Sequence, residues 1–166
     1  MDQLSVGTIN QATTSGLLTT TGAETLWDTT VAVGFTIGGK MYSKAASANQ
    51  ATPTSDHTTG AAFTTLVGGN SVANTPGEGA VVVWGFQSDG TVKCMMGGKE
   101  KLDMDDNFVY APNWPAIKGD VCPFAYTVFK AGATAAVSVI FGTTNWSAAG
   151  VSTVNVNRLP DRPVTA

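Results

Sequence analysis

Where the pattern of apolar and polar positions is regular, its period is two. Residues 31–37 read Val-Ala-Val-Gly-Phe-Thr-Ile, so Val31, Val33, Phe35 and Ile37 alternate with smaller neighbours. That spacing predicts a strand with one buried face. Gly38-Gly39 follows, a two-residue hairpin signal because both central positions of a type I′ turn need positive φ. Residues 40–44 are then the returning partner. Residues 80–86, Ala-Val-Val-Val-Trp-Gly-Phe, are apolar at nearly every position, as in a strand covered on both faces. Ser88-Asp89-Gly90 closes a tight hairpin onto residues 91–96. Further strands are predicted at 63–67, 108–110, 121–130, 135–141 and 151–156, with Trp84 in the core.

No segment carries two helical turns with caps. About eight to ten short strands, with turn signals roughly every ten residues, predict an all-β fold: an antiparallel β-sandwich or jelly-roll-like barrel. Residues 1–30 are rich in Thr, Ser, Gly and Ala and short of large apolar side chains until Leu26 and Trp27. They read as an extended or partly ordered arm. Residues 31–156 are the sandwich or barrel domain. Residues 157–166 hold two prolines and read as an extended tail. Residues 45–60 read as a polar loop. Pro112 and Pro115 mark a connector outside the ladder or at its edge.

Composition sharpens this picture. The 166 residues are 43% hydrophobic, enough for a sizeable core, but only 13% charged, against roughly 25% in ordinary domains. A surface so poor in charge suits a protein covered by partners. Net charge is −3 and the pI about 4.9. With no basic patch, direct nucleic-acid binding is not expected. The start, Met-Asp-Gln-Leu-Ser-Val-Gly, has no basic region followed by an apolar one, and no apolar run approaches a membrane span. The expectation is synthesis in a cytoplasm and no membrane contact. Cys94 and Cys122 either pair or stay as buried thiols; their gap matches no metal or redox motif.

Candidate chemistry is thin. His57 follows Asp56, but adjacent side chains usually point apart, and a triad needs mutual hydrogen-bond reach. A single histidine makes a zinc site improbable. Asp103, Asp105 and Asn107 match the opening of a calcium loop, yet Phe108 stands where Gly is needed and Trp114 where Glu is needed. Gly39-Lys40-Met41 and Gly98-Lys99-Glu100 lack the hydroxyl residue of a phosphate loop. Asp103, Asp105, Asp106 and Asp120 are paired-carboxylate candidates by type alone. The sequon at Asn145 has no meaning without secretion. No catalytic residue, cofactor or metal is assigned. Trp114 and Trp146 fall in loops, which leaves a glycan contact open.

Five stretches follow one another in an order that resembles structural proteins of tailed bacteriophages. They are Asp89-Gly-Thr-Val-Lys93, Pro112-Asn-Trp-Pro115, Asp120-Val-Cys-Pro-Phe124, Phe141-Gly-Thr-Thr-Asn-Trp146 and Arg158-Leu-Pro-Asp-Arg-Pro163. The resemblance spans residues 31–163 and its motifs are structural. It implies a virion component without enzymatic activity: a head decoration (cement) protein on the capsid surface, or a short head fibre. The implied partner is the major capsid protein or another virion protein, and the implied assembly a homotrimer. A tail, baseplate or receptor-binding part, or a carbohydrate-binding module, is the alternative. Aromatic and Arg side chains dominate such interfaces, so the candidate contacts are Trp27 in the arm, Trp114 and Trp146 in loops, and Arg158 and Arg162 in the tail.

Overall fold

The computed structural model describes residues 12, 18–21, 25–69 and 75–157. Among these, ten strands follow in chain order: β1 (Leu18–Thr21), β2 (Leu26–Thr29), β3 (Val33–Ile37), β4 (Lys40–Lys44), β5 (Ser47–Ala51), β6 (Glu78–Phe86), β7 (Val92–Met96), β8 (Glu100–Lys101), β9 (Cys122–Ala131) and β10 (Val151–Val156). The ladders are antiparallel. The main sheet runs β10-β9-β6-β7, with β8 also on β6; β1-β2-β5 form a second sheet, and β3-β4 a hairpin. The described strands close no barrel, and the molecule is an all-β sandwich.

The hairpins form where their turn residues require. Gly38 and Gly39 have φ of +56° and +78°, the left-handed pair that lets the β3-β4 turn follow the strand twist. β6, β7 and their turn match the expected hairpin, and Asp89 accepts the Thr91 N–H at 2.8 Å to brace it. Opposite Gly85, β9 shifts register and leaves Phe124 unpaired between Pro123 and Ala125. This bulge sits beside a proline that cannot donate to the ladder. It also turns both Phe124 and Ala125 into the core.

β6 is covered on both faces, as its apolar run predicts. Ala80, Val82, Trp84 and Phe86 point into the main core, where Leu18, Trp27 and Phe35 meet them. Phe141 is the centre of that core. Its ring contacts Phe63, Trp84, Phe129 and Trp146 at centroid distances of 5.1 to 5.6 Å. On the opposite face Val83 packs with Met95, Val121, Ile117 and Tyr126. The long connection 102–121 runs over that face, with Phe108 seated over Gly79.

Several expectations are corrected. The domain does not begin at residue 31: β1 and β2 lie inside the expected arm, and Leu18 and Trp27 are core residues. The polar loop 45–60 contains β5, and its Asp56 is buried. Residues 135–141 do not form a strand. Ala135, Val139 and Phe141 are buried and Val137 is exposed, but only Val139 finds a ladder partner, Leu66. Turns at 132–135 and 140–144 bend the chain on either side. Residues 63–67 and 108–110 likewise reduce to single bridges, at Leu66 and Phe108. The expected tail beyond Asn157 and residues 1–11, 13–17 and 22–24 of the expected arm lie outside the described residues.

Candidate interaction surface

The five candidate contact residues have different fates. Trp27 is 3% exposed and Trp146 6%; both are core residues, which corrects their assignment as surface contacts. Their polar neighbours hid this. Each indole N–H is satisfied internally, Trp27 by the Ala51 carbonyl at 3.0 Å and Trp146 by the Leu26 carbonyl at 3.1 Å, so burial leaves no donor stranded. Arg158 and Arg162 lie outside the described residues. Trp114 is 45% exposed and stands on the connection that covers the outer face of the main sheet.

The chain holds Trp114 in place from both sides. Asn113 Nδ2 donates to Glu100 Oε1 at 2.8 Å, and the Asn113 carbonyl lies so close to Gly97 that a Cβ there would overlap it. On the other side Pro115 is buried. Thr58 Oγ1 donates to the Ala116 carbonyl at 3.3 Å. The Trp114 ring stands edge-on to Tyr126 of β9, centroids 4.8 Å apart at 72°. Ladder register places Tyr126 on one face with Val128, Val154 and Val156. Met104, Val109 and Tyr110 on the same connection are also largely exposed. The result is an aromatic and aliphatic outer face with a fixed tryptophan.

The polar clusters nearby brace this connection. His57 Nε2 lies 3.2 and 3.3 Å from the Asp120 carboxylate, which also accepts from Gln87 Nε2 at 2.7 Å. Partial burial pushes the Asp120 carboxyl up, but the Gln87 and His57 hydrogen bonds and the His57 charge outweigh it and leave it below its ordinary value. His57 therefore pairs with Asp120, 63 positions away, and not with its neighbour Asp56. Among the described residues no hydroxyl bonds to its other ring nitrogen.

Asp56, 7% exposed, has a separate task. Its Oδ1 accepts from Thr58 N–H and Thr59 N–H, its Oδ2 from Met96 N–H at 3.0 Å. With the His57 N–H bonded to the Cys94 carbonyl at 2.9 Å, the 56–57 segment caps the free edge of β7. The Asp103 loop is also turned inward. Its carboxylate accepts the backbone N–H groups of Asn107 and Asp105 at 2.8 and 2.9 Å, which hold the carboxyl below its ordinary value. Its Oδ1 serves the turn's own backbone, and its Oδ2 accepts from Asn107 Nδ2 at 3.4 Å. No group of three or more metal-ligating side chains occurs among the described residues.

Cys94 and Cys122 are free and buried. They flank β6 on strands β7 and β9, roughly 10 Å apart at normal strand spacing, beyond disulfide reach. Burial pushes the Cys122 thiol up to about 11. Burial and the Asp56 charge push Cys94 well above its ordinary value.

The sequence pointed to Trp114 through its proline-bracketed loop. It carried no signal for the Asp56, His57 and Asp120 braces, which are side-chain contacts across long separations. No protein-family model, curated protein or solved structure matches this chain.

Proposed function

We propose that this chain is a structural protein of a bacteriophage particle, a capsid decoration protein that stabilises the head by binding the major capsid protein. One observation carries most of the weight: Trp114 is exposed, yet its loop is anchored on both sides and its ring stands against Tyr126. A large aromatic normally loses side-chain freedom on binding, and a pre-positioned ring avoids that cost. Such rings are the usual energetic centres of protein interfaces. The exposed Met104, Val109 and Tyr110 on the same connection and the low overall charge support the same reading. So does the resemblance of residues 31–163 to tailed-phage structural proteins.

The test is titration of the full chain onto heads that lack it, followed by a heat challenge. Saturable binding and a gain in heat resistance are expected. Trp114→Ala should weaken binding roughly 30-fold or more, equivalent to about 2 kcal/mol, without changing the melting temperature of the free protein by more than a few degrees. Absence of binding to heads overturns the proposal. Binding to tails instead would favour the tail or baseplate alternative. Retention on a glycan array that Trp114→Ala abolishes would favour the carbohydrate-binding module.

A further inference from the structure

The net charge of the chain is concentrated on one segment. The connection 102–121 carries four aspartates and one lysine, which equals the −3 of the whole chain, so positive and negative residues balance elsewhere. The same connection carries Met104, Val109, Tyr110 and Trp114, all between 45% and 72% exposed. Exposed apolar side chains and the excess of negative charge therefore share one stretch of backbone over the outer face of the main sheet.

Two contacts fix this stretch to β9. At one, Lys130 Nζ donates to the Asp106 carbonyl at 2.6 Å and stands 5.2 Å from the centre of the Phe108 ring. At the other, Trp114 meets Tyr126. Four residues separate Tyr126 from Lys130 on the same face of β9, roughly 13 Å at the rise of a strand. Between them lies Val128, opposite the exposed Val154 of β10. The acidic turn 103–107 and Trp114 thus fall within the footprint of a single partner.

The turn holds one charge outward. The Asp103 carboxylate accepts the N–H groups of Asp105 and Asn107, and Asp106 Oδ1 accepts the Ala133 N–H at 3.0 Å. Asp106 has φ +59°, a left-handed backbone that persists because its surroundings hold it. Asp105 differs. Its N–H is tied to Asp103 Oδ1, while among the described residues no donor meets its carboxylate. Lys130 is the cation at this turn, and its charge is felt at Asp103. One ammonium therefore stands against Asp103, Asp105 and Asp106, and Asp105 projects beside the exposed Met104.

We infer that the 102–121 connection docks a cationic protein surface, one that takes Trp114 into an apolar site and sets a lysine or arginine against Asp105. Charge complementarity selects this occupant. Nucleic acid, anionic lipid and sulfated glycan carry the wrong sign. A second copy docked face to face would bring the same negative segment. Arginine is enriched at the centres of interfaces and its planar fork matches a carboxylate. The inference rests on the proposed use of Trp114 as a contact and adds the chemistry of the surface it meets.

Two arms test it, both with the full chain. The first follows two synthetic peptides by titration calorimetry, one of leucine and lysine, the other of leucine and glutamate. The lysine peptide should bind, and bind roughly 3–10-fold more weakly at about 300 mM than at about 50 mM salt. The glutamate peptide should not bind. Trp114→Ala should remove the binding, and Asp105→Lys should weaken it roughly fivefold or more at unchanged melting temperature. The second arm repeats the head titration over the same salt range, with the same losses expected. Heads that fail to bind while the lysine peptide binds overturn the particle reading alone. Binding of both peptides or of neither overturns this inference. So does a complex indifferent to salt and to Asp105→Lys.

Discussion

Trp84 shows how one side chain is fixed in this core. Its indole N–H donates to Thr127 Oγ1 at 2.8 Å, and that hydroxyl donates to Asn155 Oδ1 at 2.6 Å. Asn155 Nδ2 in turn donates to Thr20 Oγ1 at 3.2 Å. The relay crosses β6, β9, β10 and β1 inside an apolar layer, where an unmet donor is costly. Thr127→Val keeps the shape and removes the hydroxyl, so the Trp84 N–H and Asn155 carbonyl oxygen both lose a partner. A loss of about 1–3 kcal/mol in denaturant unfolding is expected, with Thr127→Ser close to the parent. The thiols make a second residue-scale prediction. The thiolate is the reactive form, so Cys94 and Cys122 should resist alkylation at pH 8 in the folded protein and react together once it is unfolded. Mass spectrometry of the folded and denatured chain after timed labelling checks this.

At the scale of elements, the Asp56 cap governs β7. Asp56→Ala strands three backbone N–H groups, one of them on the strand itself, and should cost about 2–4 kcal/mol. Hydrogen exchange should speed up first at Met96. The same element explains what could be read beforehand. β3-β4, β6-β7, β9 and β10 were legible because alternation, an apolar run and turn glycines act over a few residues. β2 was not, because Trp27 sits among threonines and its burial depends on Trp84, 5.9 Å away between ring centroids. The 135–141 segment shows the converse. Its alternation reports burial correctly, yet a strand also needs a neighbour of matching length, and here only the Leu66–Val139 bridge and the Gly68 N–H on the Ala136 carbonyl form. Of the surface, Trp114 was legible; its outer-face partners depend on the β9-β10 register, which no local pattern specifies.

For the whole molecule, acid should act through a few carboxylates. The Asp89 and Asp103 carboxyls are held below their ordinary values chiefly by backbone N–H groups of Thr91 and Asn107. Asp120 is lowered by Gln87 and His57 against partial burial. A folded value below the unfolded one means the contribution is fully present above the ordinary value of 3.8. It is lost as the pH falls through the folded values. Unfolding free energy measured from pH 6 to pH 2 should therefore drop at the acid end. Asp120→Asn should start lower and show a shallower drop; an unchanged slope would remove Asp120 from this account.

The Trp146 indole on the Leu26 carbonyl spans 120 positions, and Asn155 on Thr20 spans 135. At roughly 5–20 residues per second on a ribosome, about 6–24 s separate the synthesis of Leu26 from that of Trp146. Through that interval Leu18 and Trp27 have no core to enter, because Trp84, Phe129 and Phe141 must also be made first. The first strands of the sandwich are thus among the last to settle. During translation their apolar side chains are the part of the chain that a chaperone would meet.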